Sequence, residues 1–137
     1  PAAAPAARRT RVLVVDDNPD LVDSLVAVVS MLGHEARGVQ GGAEALQHLA
    51  DVPCDLVLMD VSMPGLNGFE TARLVRGAPW GRSLLLVAMT GWGRDEDRRQ
   101  AMDAGFDCMV EKPIDVEGIR ALLAALRAPD AEGDSRA

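Results

Sequence analysis

Short apolar runs alternate with amphipathic stretches along most of the chain. Residues 11–15 form a continuous, mostly β-branched apolar run, which is typical of a strand buried on both faces. Asn18 then suits the N-cap of a helix and Pro19 suits its first position. Six apolar residues follow at helical spacing up to Gly33, where the helix should stop. The pattern therefore predicts a buried strand followed by an amphipathic helix.

The same alternation repeats four more times. It predicts strands at 35–39, 55–59, 84–89 and 106–111, and helices at 42–49, 69–76, 95–104 and from 116 onward. Five strands alternating with five helices imply a parallel sheet covered on both faces. We predict a doubly wound, flavodoxin-like α/β fold with strand order 2-1-3-4-5. A closed β/α barrel is excluded because it needs eight such units.

The two ends of the chain differ from the middle. Residues 1–10 and 128–137 lack any hydrophobic period and are rich in Pro, Ala and polar residues. We interpret them as a linker and a disordered tail around one domain at 11–127. A linker-like start without Met favours a piece of a longer polypeptide.

Composition narrows the function classes. The 137 residues are 48% hydrophobic and 26% charged, as in a soluble globular domain. The net charge of −7 argues against direct contact with nucleic acid, because phosphate binding needs a basic face. No apolar run is long enough to span a bilayer, and the first residues lack the basic-then-apolar order that is typical of a signal peptide, so we expect a cytoplasmic domain without membrane contact. Cys54 and Cys108 form no CxxC motif, which gives no sign of a disulfide framework or a zinc site.

Polar residues stand where four predicted strands end. Asp16 and Asp17 follow strand 1, Asp60 follows strand 3, Thr90 follows strand 4 and Lys112 follows strand 5. These strands are consecutive in the predicted order, and function collects beyond the carboxyl ends of such a sheet. We therefore expect the five side chains to share one pocket.

The chemistry of this set favours phosphoryl transfer. Three clustered carboxylates repel one another, and a hard divalent cation such as Mg²⁺ relieves that repulsion. With Mg²⁺ and Lys112 the local charge would reach zero, so an incoming phosphoryl group would meet no net repulsion. Taken singly each residue is weak evidence, since an Asp after a strand is usually a helix cap or a turn residue. The prediction rests on the presence of all five residues at the ends of four neighbouring strands.

One of the five is also unusual in composition. Of the 14 basic residues only Lys112 is a lysine. Composition alone leaves its retention evenly balanced between chance and a role that Arg cannot fill. Its predicted position beside Asp60 and Thr90 favours the role, because a compact ammonium suits contact with one phosphate oxygen.

Four stretches of the chain, RVLVVDDNPD, LVLMDVSMPGLNG, VAMTGWG and EKPID, resemble the signature stretches of response-regulator receiver domains. The resemblance covers 11–127. It implies that Asp60 accepts a phosphoryl group from the phosphohistidine of a histidine kinase or a histidine phosphotransfer protein. It also implies that Asp17, Asp60 and the Ser62 carbonyl ligate Mg²⁺, or Mn²⁺ in its place, while Asp16 acts largely through water.

The resemblance assigns the remaining site residues as well. Thr90 would be the switch hydroxyl, Lys112 would contact the phosphate, and the Lys112–Pro113 bond would be cis. Such a domain catalyses its own phosphorylation and slow dephosphorylation and is not an enzyme in the usual sense. The segment at 90–107 looks most like receivers attached to hybrid sensor histidine kinases. A stand-alone regulator and a regulator whose output domain is lost from the C-terminus are the alternatives. A receiver–receiver dimer is a further assembly to consider.

The chain departs from the family pattern at one position. Met109 stands where the family usually has an aromatic residue, and the chain contains no Tyr. Rotation of an aromatic ring therefore cannot transmit the switch, and we expect an altered or weaker output. We also hypothesise that Trp92, at the pocket rim, hinders attack by water and prolongs the phosphorylated state.

Two other functions fit parts of the pattern. A Mg²⁺-dependent phosphatase could use Asp60 as its nucleophile, but Val61 and Ser62 offer no acid for the leaving group. The fold could also serve protein contacts alone, which the intact set of site residues disfavours. His34 and His48 do not suit a phosphodonor role. Neither GxGxxG after strand 1 nor GxxxxGK[ST] occurs, so nucleotide binding is not indicated.

Overall fold

Five parallel strands form the central sheet. The computed structural model describes residues 10–63, 65, 67–91 and 95–127. Its strands stand in the order β2-β1-β3-β4-β5, as predicted. They are β1 (Arg11–Val15), β2 (Glu35–Val39), β3 (Leu56–Asp60), β4 (Leu85–Thr90) and β5 (Cys108–Glu111).

The strand ends differ slightly from the prediction. Strands β3 and β4 continue through Asp60 and Thr90, because these residues still pair with Met89 and Glu111 in the ladder. Strand β5 begins at Cys108 and not at residue 106. The reason is that the Phe106 N–H closes the preceding helix by donating to the carbonyl oxygen of Ala101. Two of the predicted site residues thus belong to the strands themselves, which limits their freedom.

Five α-helices lie within the described part of the chain. They are α1 (Pro19–Met31), α2 (Gly42–Asp51), α3 (Gly68–Gly77), α4 (Asp95–Ala104) and α5 (Val116–Arg127), with a 3₁₀ turn at Pro79–Gly81. The α1 start is as predicted: Asn18 Oδ1 accepts from the N–H groups of Asp20 and Leu21, and proline occupies the first turn. Helix α3 begins one residue earlier than predicted, because Asn67 and Glu70 form a capping box there.

The core has two layers, one on each face of the sheet. Helices α2, α3 and α4 cover one face, and α1 and α5 cover the other. The first layer includes the buried residues Leu13, Ala45, Val57, Ala72, Leu86 and Ala101. The second includes Val14, Leu25, Val29, Leu58, Val87 and Ile119. Both faces of the sheet are therefore covered, which leaves its carboxyl edge as the place where polar side chains can gather.

Two predictions about the chain as a whole have a partial outcome. The predicted terminal segments lie almost entirely outside the described residues. Within the described part, no helix combines the length and the apolar character needed to cross a membrane.

Candidate functional site

Four strand ends meet at the carboxyl edge of the sheet. Asp16 follows β1, Asp60 ends β3, Thr90 ends β4 and Lys112 follows β5. The main chain joins the last two, since the Lys112 N–H donates to the Thr90 carbonyl oxygen at 2.8 Å. The site lies at the edge that the sequence pattern indicated.

Three carboxylates lie together at this edge. Oxygen atoms of Asp16, Asp17 and Asp60 all lie within 4.8 Å of one another. Asp16 is 0% exposed and Asp60 is 3% exposed, whereas Asp17 faces solvent. The cluster is therefore buried at its base and open at one side, where a small ligand can reach it.

The Lys112 ammonium lies between two of these carboxylates. Its Nζ is 2.8 Å from Asp16 Oδ2 and 3.4 Å from Asp60 Oδ2. Burial alone would lower the pKa of Lys112, but Asp16 and Asp60 together raise it above its usual value. The ammonium is therefore charged at neutral pH. It is followed by a cis Lys112–Pro113 bond, as the family resemblance implied.

Each of the two buried carboxylates is also held by the main chain. Asp16 Oδ1 accepts from the Asn18 N–H at 2.9 Å, and Asp60 Oδ1 accepts from the Ser62 N–H at 3.1 Å. Both are bonds to the residue two positions on, as in an Asx turn. The second oxygen of each carboxylate is thereby directed toward Lys112. The carboxylates are thus oriented before any ligand arrives.

The environment of Asp60 makes its carboxylate more basic than usual. Burial raises the pKa of Asp60, the Ser62 N–H lowers it, the charge of Asp16 raises it and Lys112 lowers it. The net direction is upward. Because burial is the main cause of the raised pKa, the ionised Asp60 carboxylate would be stabilised by a cation beside it.

Helix α3 approaches Asp60 closely because its first residue is Gly68. A Cβ at this position would collide with the Asp60 carbonyl oxygen and would lie 2.6 Å from Val61 Cα. The Gly68 N–H donates to the Val61 carbonyl oxygen at 3.3 Å. Any larger residue would push α3 away from the end of β3 and disturb the loop that carries Ser62.

The donor set fits a hard divalent cation. All three side chains offer oxygen, and three carboxylates facing one ammonium leave a formal charge of −2. Asp16 Oδ2 is shielded from solvent and has no hydrogen bond of good geometry among the described residues, although it contacts the ammonium. A buried oxygen in that state has capacity for a further partner, such as a metal-bound water.

The remaining predicted residues lie around this cluster. Thr90 is 3% exposed and sits at the end of β4. Met109 is partly buried and packs against the core layer that contains Met59 and Ala88, its neighbour across β4 and β5. Trp92, proposed to shield the site from water, lies outside the described residues.

A second polar cluster lies at the opposite edge of the sheet, and the sequence pattern did not predict it. The Arg76 guanidinium, near the end of α3, makes an ion pair with Asp107 at 2.7 Å. It also donates to the carbonyl oxygens of Gly105, Gly81 and Leu84 at 2.8, 2.9 and 3.0 Å. No sequence motif marks these partners, because they come together only when the helices pack on the sheet.

Comparison with known proteins gives a consistent result. The family described as the response regulator receiver domain matches residues 12–124. The gliding motility regulatory protein of Myxococcus xanthus is 38% identical over 109 residues, which is 80% of this chain and 14% of that protein. The chain thus spans a small part of the length of this relative.

Solved structures agree with the fold and with the sequence match. A putative response regulator from Chloroflexus aurantiacus is 26% identical with a TM-score of 0.82, covering 88% of this chain and 99% of that one. The receiver domain of the sensor histidine kinase PA1611 from Pseudomonas aeruginosa is 26% identical with a TM-score of 0.80, covering 87% and 98%. In that protein a magnesium ion is coordinated in the active site cleft.

Proposed function

The chain belongs to the response regulator receiver domain family, and on that premise we propose that Asp60 accepts a phosphoryl group from a phosphohistidine. The observation that carries the proposal is the placement of Asp60. It is buried, oriented by the Ser62 N–H, and lies 3.4 Å from the Lys112 ammonium within a cluster of three carboxylates. We place the functional domain at residues 11–127.

In the proposed reaction an Asp60 carboxylate oxygen attacks phosphorus. The bond from phosphorus to the imidazole nitrogen breaks as the new P–O bond forms, and the imidazole retains the electron pair. There is little other covalent chemistry, so catalysis rests on positioning and on neutralising charge. The Ser62 N–H and Lys112 hold Asp60 in place before the donor arrives, which lowers the entropic cost of the reaction.

A Mg²⁺ ion would be held by Asp17, Asp60 and the Ser62 carbonyl oxygen, with Asp16 acting through water. When bound, the cation supplies positive charge next to the transferring phosphoryl oxygens. Mn²⁺ has a similar preference for oxygen ligands and is the expected substitute. Support comes from the oxygen-only donor set and from the buried Asp16 Oδ2, which has capacity for one more partner.

After transfer, the negative charge moves from the carboxylate to the phosphate. We propose that Lys112 then contacts a phosphate oxygen and that the Thr90 hydroxyl moves toward another. Both lie at adjacent strand ends and are linked by the 2.8 Å main-chain bond between them. A movement of Thr90 would change the end of β4, and this change, together with the contact of Lys112, is the proposed conformational switch.

We assign the donor to a histidine kinase or a histidine phosphotransfer protein. The domain would catalyse its own phosphorylation and its own slow dephosphorylation. Since the chain spans only 14% of the Myxococcus relative, we propose that it acts as one module of a longer signalling protein such as a hybrid kinase. A receiver–receiver dimer is a second proposed assembly.

Intact-mass measurement tests the proposal. After treatment with acetyl phosphate and Mg²⁺, the wild-type chain should gain about 80 Da, the mass of an added PO₃H group. The Asp60→Asn variant should gain nothing. Asp23→Asn, an exposed aspartate on α1, is the matched control and should behave like the wild type. An unmodified wild-type chain would favour the contact-only alternative, and turnover of a phosphate ester would favour the phosphatase.

A further inference from the structure

The placement of β5 depends on contacts outside the strand itself. It has four residues, it stands at the edge of the sheet, and its side chains are partly buried or exposed. The five residues of β3, by contrast, are all buried. A slip of one residue turns every side chain to the opposite face, so full burial specifies register strongly and partial burial specifies it weakly. Lys112 follows β5 directly, so its position depends on how β5 is aligned with β4. Contacts outside the strand must help to fix that alignment.

Asp107 supplies such a source just before the strand begins. Its N–H donates to the Leu86 carbonyl oxygen at 2.7 Å, and its Oδ2 accepts from the Leu86 N–H at 2.8 Å. The N–H and the carbonyl oxygen of Leu86 thus both bond to Asp107. The ladder pair of Val87 with Cys108 follows at once. Asp107 therefore sets where pairing between β4 and β5 starts.

Arg76 holds Asp107 in that position. The Arg76 side chain is 21% exposed, and its Nη2 lies 2.7 Å from Asp107 Oδ2. The same guanidinium donates to the Gly105 carbonyl oxygen, just before Asp107, and to the Leu84 carbonyl oxygen, just before β4. Charge-assisted bonds of this kind are about twice as strong as neutral ones. The guanidinium thus ties the starts of β4 and β5 to each other.

Gly105 allows the guanidinium to come this close. It has a φ of +113°, and a Cβ there would lie 2.6 Å from Arg76 Cγ. A side chain at this position would displace Arg76 from the carbonyl oxygens that it binds. The contact between α3 and the segment before β5 is therefore built from three residues, Arg76, Gly105 and Asp107.

Register set at Asp107 reaches the functional site. A slip of one residue would move β5 by about 3.3 Å. A displacement of that size would break the contact of 2.8 Å between Lys112 Nζ and Asp16 Oδ2. We propose that Arg76 and Asp107 are positioning residues for Lys112, acting through the register of β5 from the opposite edge of the sheet. The inference rests on the proposed function, because it assigns to Lys112 a part in phosphorylation of Asp60.

The single lysine of the chain gives a direct readout that needs no activity. Protein labelled with ¹³C at lysine Cε yields one side-chain methylene signal, that of Lys112. In the wild type this signal should be shifted from that of a free lysine and should move with Asp16→Asn. In Asp107→Ala we expect it to approach the free-lysine position while the circular dichroism stays that of the folded chain.

Phosphorylation rates give the second readout, through a double-mutant cycle. Lys112→Ala should slow the gain of mass from acetyl phosphate about 100-fold, as for loss of one preorganised charged donor. Asp107→Ala should slow it about 10- to 100-fold, the effect of a misplaced catalytic group. In the Lys112→Ala background, Asp107→Ala should change the rate less than about 2-fold, because the residue that it positions is already absent.

Conservative and matched variants separate positioning from general stability. Asp107→Asn keeps an oxygen for the Leu86 N–H and should restore most of the rate. Arg73→Ala, an exposed arginine on the same helix as Arg76, should change neither readout. If Asp107→Ala does not fold, Arg76→Gln takes its place in the same cycle, since the shorter side chain loses the bonds to Asp107 and to the Gly105 and Leu84 carbonyl oxygens together and leaves Asp107 intact.

Two outcomes would overturn the inference. One is a folded Asp107→Ala, or its replacement Arg76→Gln, with the wild-type Lys112 signal and rate. The other is a rate loss of equal size in the presence and absence of Lys112, which would mean a role unrelated to that residue. Failure of the proposed function is distinguishable, because the wild type itself would then gain no mass while the Lys112 signal would still report on register.

Discussion

The two charged clusters of this domain lie at opposite edges of one sheet and differ in how completely their charges are balanced. At the amino edge, the Arg76 guanidinium has one carboxylate and four carbonyl oxygens as partners. At the carboxyl edge, three carboxylates share one ammonium, and the buried Asp16 Oδ2 has no good hydrogen bond among the described residues. Three carboxylates against one ammonium leave the carboxyl-edge cluster with a formal charge of −2, which a cation can balance.

The number of partners of each charged group distinguishes a cluster that stabilises the fold from one that can bind a ligand. A saturated cluster gains nothing from a ligand, and its residues hold elements together. A cluster with a surplus of carboxylates repels itself, and a bound cation would relieve that repulsion. The same kinds of residue, aspartate with a basic partner, therefore serve two purposes, and the count of partners distinguishes them.

Among the changes that test the comparison of the two clusters, removal of Lys112 should lower the free energy of unfolding most. Lys112→Met leaves the fully buried Asp16 beside Asp60 without a cation, and losing one partner of a buried pair costs about 3–5 kcal/mol. We expect a lower free energy of unfolding, measured by urea denaturation in EDTA, with part of it restored by Mg²⁺. Lys112→Arg keeps the charge and should keep the fold, but its planar fork should impair the phosphorylation-dependent switch. A Lys112→Met chain as stable as the wild type would contradict the expected cost of leaving Asp16 and Asp60 without a cation.

Magnesium should distinguish the two clusters by its effect on stability. At 100 times its dissociation constant, a ligand that binds only the folded state stabilises it by about 2.7 kcal/mol. We expect such a gain in the wild type and a gain at least as large in Arg76→Met, in which a displaced Lys112 would no longer oppose the cation. The baseline stability of Arg76→Met should be lower by about 1–3 kcal/mol, because the carbonyl oxygens that Arg76 binds lose a charged donor. Asp17→Asn should reduce the gain. A magnesium effect that disappears in Arg76→Met would mean that the three carboxylates do not hold the cation by themselves.

The smallest effect concerns a thiol away from both clusters. Burial raises the pKa of Cys54 to about 11, with the charge of Asp55 adding to the shift. Because the thiolate reacts and the thiol does not, alkylation by iodoacetamide should be slow at pH 8 and should rise about tenfold per pH unit up to that pKa. Magnesium should leave the Cys54 rate unchanged, as peptide mass mapping can show. Fast alkylation at pH 8 would mean that the thiol is not buried in solution.

The carboxyl-edge site was predictable from the sequence because its position follows from strand order alone. Once the alternating strands were identified, Asp16, Asp60, Thr90 and Lys112 had to stand at one edge of a parallel sheet. The burial of Asp16 and its contact with Lys112 were not predictable, since they depend on side-chain directions that periodicity does not contain.

The amino-edge cluster was not predictable in the same way. Arg76 and Asp107 are 31 positions apart, and their pairing requires α3, α4 and β4 to be packed first. The early start of α3 was readable but overlooked: Asn67 and Glu70 stand at the spacing of a capping box. The late start of β5 follows from the bond by which the Phe106 N–H closes α4 on the Ala101 carbonyl oxygen, and the apolar character of Phe106 gave no sign of that bond.

The most direct measurement of the central claim is the location of the phosphoryl group. Reduction of the phosphorylated chain with borohydride converts an aspartyl phosphate into homoserine, which peptide mass mapping can place in the sequence. Homoserine should form at position 60 alone, should require Mg²⁺, and should be lost in Asp60→Asn. Homoserine at Asp16 or Asp17, or none in a chain that has gained the phosphoryl mass, would contradict the assignment of Asp60 as the acceptor.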